Sequence, residues 1–148
     1  MSTVIYPSPI FGPIHSRRLG VSLGVNLMPA DGKICTFDCL YCECGFNADF
    51  RPKLKRPTRE EVKVALAKVL QQRHGDHEPL DVITFAGNGE PTAHPDFKAI
   101  IEDSIVIRWL LWAIHTTYVF HVNGVEFLYI VVNHHQCLTH LWLIHHCR

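Results

Sequence analysis

Apolar and polar positions alternate through "LGVSLGVNLMP" (Leu19 to Pro29), a period of two that predicts a strand. The preceding stretch is proline-rich and predicts irregular chain. Downstream, "TREEVKVALAKVLQQRHG" places Val62, Leu66, Val69 and Leu70 on one helical face. Thr58 with Glu61 forms a capping box at its start, and Gly75 is a plausible stop. "LDVITFAG" (Leu80 to Gly87) is a continuous β-branched and aromatic run closed by glycine, the pattern of a buried parallel strand. A second helix is expected from about Pro95, with Phe97, Ile100, Ile101 and Ile105 inward. Strand, helix, strand, helix in this order predicts an α/β domain with parallel strands, whose ligands gather at the carboxyl ends of the strands.

The pattern breaks near Asp103. Residues 1–103 hold all nine prolines, eight of nine glycines and 25 of the 28 charged residues. Residues 104–148 hold three charges, no proline, all three tryptophans and seven of the eleven histidines. Such a segment has hardly any polar face and shows neither β/α rhythm nor loop chemistry. Its apolar runs are too interrupted for a membrane span. The histidine pairs His134-His135 and His145-His146, with Cys137 and Cys147 nearby, show no ordered metal-ligand spacing. Two parts follow: residues 1–103, and an apolar, His-rich tail 104–148. The tail is expected to come from a shifted reading frame or to follow a premature truncation, leaving an inactive fragment; the alternative is a divergent segment that packs against the sheet.

At 148 residues with 14 basic and 14 acidic side chains, the chain suits one domain, and its overall charge suggests no nucleic-acid or acidic partner. The opening "MSTVIYPSPIFGPIHSRR" does not read as a basic leader followed by an apolar run, so a reducing cytoplasm is the expected setting. Clustered cysteines there bind metal or do redox work more often than they form disulfides.

Four of the six cysteines fall within "ICTFDCLYCEC". Cys35, Cys39 and Cys42 follow the spacing C-x3-C-x2-C, which directs three thiolates from one loop at one centre. Three ligands leave a position open, as in an iron-sulfur cluster with one free iron; Cys44 as a fourth would instead close a structural zinc site. Both remain open on the residues alone. At the next strand end, "TFAGNGEPTAHP" looks like a phosphate loop, but Glu90 would repel phosphate and welcome an ammonium group.

With Tyr41 directly before Cys42, the cysteine loop resembles the C-x3-C-x-aromatic-C signature of radical S-adenosylmethionine (SAM) enzymes, and "GNGEP" is similar to their GGEP motif. The flanks "SRRLGVSLGVNLMPADGKICTFDCLYCECGF" and "ITFAGNGEPTAHPDF" look like a bacterial branch related to the wyosine-forming tRNA enzymes. The resemblance covers residues 1 to about 103. It implies the N-terminal part of a partial (β/α)6 barrel, incomplete here. It also implies a [4Fe-4S] cluster on Cys35, Cys39 and Cys42, and SAM held by Tyr41, Gly87, Asn88, Gly89, Glu90 and Pro91, with Tyr41 beside the adenine. Reductive cleavage of SAM to a 5'-deoxyadenosyl radical would then act on an unidentified substrate, with RNA as one candidate class. A flavodoxin- or ferredoxin-like protein would supply the electron, and no membrane would be involved. A small zinc-binding structural or RNA-contact module is the rival. Arg17, Arg18 and the basic run Arg51 to Arg59 could meet a phosphate backbone, although clusters of this size are more often solvated loop. Asp31 and Asp38 read as caps or turn residues, and Asn26 as a candidate for orienting the loop.

Overall fold

The computed structural model describes residues 4–40, 42–49, 51–112, 116–122, 125–131 and 142–144. Tyr41 and the tail residues His134, His135, Cys137, His145, His146 and Cys147 lie outside them. The strands are β1 (Ile10–Ser16), β2 (Gly20–Val25), β3 (Val82–Phe85), β4 (Thr116–Val122), β5 (Val125–Val131) and β6 (Trp142–Ile144). They form one sheet in the order β1-β2-β3-β4-β5-β6. The helices are α1 (Arg59–Gly75) and α2 (Phe97–Trp112).

β2, β3 and β4 are mutually parallel, joined through α1 and α2, which is the expected α/β arrangement. Alternation along β2 and β3 sends Leu23, Val25, Ile83 and Phe85 to one face, where Val62, Leu66 and Leu70 of α1 and Ile100 and Ile107 of α2 bury them. Val69, Phe97, Ile101 and Ile105 pack at the margin of this core. The capping box forms: Thr58 Oγ1 accepts from Glu61 N–H at 3.3 Å, and Glu61 Oε2 accepts from Thr58 N–H at 2.7 Å.

Two segments differ from the sequence reading. The proline-rich opening contains β1, antiparallel to β2, with an irregular register between Phe11 and Ile14. Pro13 falls inside that strand, and β1 ends the strand order, an edge position where the ladder tolerates a residue with no N–H. Second, the segment after residue 104 carries strands where no β/α rhythm was expected. The run "TTYVFHV" (β4) pairs parallel with β3, and β5 and β6 then continue antiparallel. β-Branched and aromatic residues favour extended chain, and a parallel neighbour with an open edge gives it a ladder. Among the described residues no helix is long and apolar enough to cross a membrane.

Candidate functional site

Two loops leave adjacent carboxyl ends of the parallel strands. The first follows β2 and carries the cysteines; the second follows β3 and carries Gly87 to Pro91. They are bonded to one another directly, since Ile34 N–H donates to Asn88 O at 3.0 Å one residue before Cys35. Glycine is required at both bends of the second loop. Gly87 has φ 137° and a Cβ there would lie 2.5 Å from the Asn26 side chain; Gly89 has φ 148° and a Cβ there would run into the Ile34 carbonyl.

Asn26 and Asn88, both fully buried, lock this edge. Asn26 Oδ1 accepts from Met28 N–H (3.0 Å) and Asn88 N–H (3.2 Å), while its Nδ2 donates to Tyr6 O (3.2 Å) and Pro7 O (3.1 Å). Asn88 Oδ1 accepts from Tyr6 N–H (2.8 Å), and its Nδ2 donates to Tyr6 O (2.8 Å) and Pro29 O (2.7 Å). Every polar group of the Asn88 side chain is therefore spent on the scaffold. Its side chain holds the loop to the scaffold, whereas Gly87, Gly89 and Glu90 line the cavity described next. Pro91 is buried and opens the short 3-10 turn Pro91–Ala93.

The cavity, about 490 Å³, lies on the sheet face opposite the helices. Its floor includes Ser22 and Thr84, whose hydroxyls are 2.8 Å apart, and its walls bring Cys35, Cys39 and Cys42 to the same space as Glu90. The Glu90 carboxylate, 7% exposed, accepts from Thr92 N–H (3.3 Å) and Thr92 Oγ1 (2.8 Å). Cys35, Cys39 and Cys42 are each half-buried. Among the described residues, no three His, Cys, Asp or Glu side chains gather as ligands to a single ion.

Cys44 is set apart from the other three. It is 4% exposed and its Sγ–H donates to Gly87 O at 3.4 Å. Burial, reinforced by the neighbouring Cys42, pushes its thiol up to about 11.

The residues that shape the cysteine loop carry no signature. Asn47 Nδ2 donates to Cys35 O (3.0 Å) and Phe37 O (3.3 Å), its Oδ1 accepts from Cys35 N–H (3.1 Å), and its own N–H donates to Asp38 Oδ1 (2.8 Å). That backbone bond, helped by the Lys33 ammonium, holds the Asp38 carboxyl below its ordinary range. Asp31 accepts from Lys53 N–H at 2.8 Å and from Leu54 N–H at 3.1 Å, so it ties its own turn to the basic segment and caps no helix, since Thr58 caps α1. Tyr6, unsuspected from the sequence, meets Glu43 through its hydroxyl at 3.2 Å. Arg56 reaches Ala93 O (3.0 Å) and Arg59 pairs with Asp103 (2.6 Å), so part of the basic run is structural.

No protein-family model matches the chain, and no solved structure does. Similarity to curated proteins covers 62–65% of it. A UPF0026 protein of Helicobacter pylori is 39% identical over 98 residues, 65% of this chain and 30% of that protein. A UPF0026 protein of Methanocaldococcus jannaschii is 41% identical over 96 residues, 62% of this chain and 28% of the relative. A Brachyspira hyodysenteriae protein named GTPase Obg is 37% identical over 93 residues, 62% of this chain and 13% of its own length. The chain thus spans 30% or less of the length of these three relatives.

Proposed function

We propose that residues 1–103 are the N-terminal part of a partial (β/α)6 radical SAM barrel that holds a [4Fe-4S] cluster and SAM in the cavity at the carboxyl edge. The observation carrying this reading is that the cysteine loop and the Gly87–Glu90 loop, from adjacent parallel strands, open on one cavity. The donor set fits the cluster. Three half-buried thiols on one loop can each take a separate iron of a cubane, which asks for no convergence on a single ion. Cys44, committed to Gly87 O, is poorly placed to be the fourth ligand that a structural zinc site needs.

When bound, the cluster would pass one electron to the SAM sulfonium, giving methionine and a 5'-deoxyadenosyl radical that takes hydrogen from a substrate. This chain's residues bind and orient. Cys35, Cys39 and Cys42 hold the cluster, and Glu90 accepts a charge-assisted hydrogen bond from the SAM ammonium. Gly87 and Gly89 let the backbone approach, while Tyr41 stands next to the last cluster ligand in sequence. The substrate class proposed is RNA, served by Arg17, Arg18 and the exposed members of the 51–59 run. The electron donor is a flavodoxin- or ferredoxin-like protein and the setting the cytoplasm. A GTP site, which the name of the Brachyspira relative suggests, is disfavoured because Glu90 occupies the turn where phosphate would have to sit.

Anaerobic reconstitution with iron and sulfide tests this. The expected product is brown, with a broad visible band that is lost on replacing Cys35, Cys39 or Cys42 by Ala and retained in Cys44→Ala. With reductant it releases 5'-deoxyadenosine from SAM. Glu90→Ala should weaken SAM binding about ten- to a hundredfold at unchanged iron content. Tight zinc that requires Cys44, with no iron centre, would replace this reading by the zinc module.

A further inference from the structure

Lys33 lies two residues before Cys35 and has no part in the scheme above. It is 2% exposed, one of the few buried charged side chains among the described residues. Its Nζ donates to Gly45 O at 2.6 Å and reaches Asp38 Oδ1 at 3.4 Å. Gly45 and Asp38 flank the segment that holds Cys39 and Cys42, so one side chain links the two ends of that part of the loop. Cys42 and Cys35 are also close enough to act on its charge.

A buried ammonium is costly unless anions face it. Asp38 supplies a weak answer: the pair is long and the carboxylate 47% exposed, so water screens it. The bond to Gly45 O supplies a dipole and no charge. A metal centre held by Cys35 and Cys42 as thiolates would bring negative charge to this loop. A [4Fe-4S] cluster on three thiolates is anionic, and one electron from an external low-potential donor adds a further negative charge without making or breaking a bond. A fixed cation alongside therefore stabilises the reduced form more than the oxidised one.

We infer that Lys33 is a positioning residue for the cluster, whose buried ammonium braces the cysteine loop and favours the cluster's reduced state. The inference rests on the cluster reading proposed above. The test is a redox titration, followed by electron paramagnetic resonance, of the intact chain reconstituted under anaerobic conditions. Lys33→Met and Lys33→Gln should each lower the reduced-to-oxidised ratio at a given potential about tenfold, equivalent to about 59 mV for one electron. Lys33→Arg, which keeps the charge, should stay near the wild-type midpoint, and Asp38→Asn, which removes an anion, should move it the opposite way. Opposite shifts for the two kinds of variant are what a purely structural role would not produce. Should Lys33→Met fail to fold, Lys33→Gln, which keeps a polar N–H donor on a neutral side chain, carries the test. A neutral variant that titrates with the wild type overturns the role of Lys33 and leaves the cluster reading standing. Absence of any iron-sulfur centre in the wild-type chain overturns both.

Discussion

At the scale of single residues, the site is a set of buried amides and glycines with the reactive groups mounted on them. Asn88 shows what such a mounting is worth. Replacing it by Ala leaves Tyr6 N–H and Pro29 O without the partners they have at 2.8 Å and 2.7 Å. Each buried group left unpaired costs about 1–3 kcal/mol, so Asn88→Ala should lower the denaturant midpoint clearly. A midpoint equal to wild type would mean water takes over both bonds. The candidate ligands that line the cavity could be picked out in the sequence because their spacing is local: Cys35, Cys39 and Cys42 in one loop, Glu90 beside two glycines. Of the supports, Asn26 was legible as a residue that orients the loop, and its bonds to Met28 and Asn88 N–H bear that out; Tyr6, Lys33 and Asn47 were not. Tyr6 meets Asn88 across 82 positions, and Lys33 and Asn47 act through backbone carbonyls that any residue provides.

At the scale of elements, α1 is the clearest case of local rules setting a boundary. Thr58 and Glu61 exchange hydrogen bonds, and bonds from Thr58 N–H and its hydroxyl hold the Glu61 carboxyl below its ordinary range. A depressed carboxyl contributes stability above its unfolded value and loses it as pH falls through the lower folded value. Acidification through the carboxylate range should thus erase the difference between wild type and Glu61→Gln, which at neutral pH favours the wild type. Thr58→Ala should cost about 1 kcal/mol, read by chemical denaturation; no loss would mean the helix start is held by packing alone. β1 was missed for the opposite reason. Its residues are mostly exposed or half-buried, so no alternation is written in them, and its prolines argue against a central strand but not against an edge. β4 was hidden because apolar residues run through the whole tail, and a uniform pattern has no period to read.

At the scale of the molecule, the two faces of β2 and β3 have separate tasks. Leu23, Val25, Ile83 and Phe85 join the helices in the core, while Ser22, Gly24 and Thr84 look into the cavity. Substitutions on either side should therefore have separable effects. Leu66→Ala deletes a side chain that is 1% exposed in the α1 layer and should cost about 2–5 kcal/mol. If the proposed cluster reading holds, the folded fraction should nevertheless take up iron as wild type does, because no cavity-lining residue has changed and distant sites act independently. Gly89→Ala should behave in the reverse manner. Its Cβ meets the Ile34 carbonyl, and relief comes only by moving the two loops apart just where Cys35 begins. Iron uptake and SAM binding should fall together by much more than global stability does, measured as iron per folded chain beside a denaturation curve. If Leu66→Ala instead emptied the folded protein of iron, the cavity would depend on the helical layer as a unit, and the division of labour between the faces would not hold.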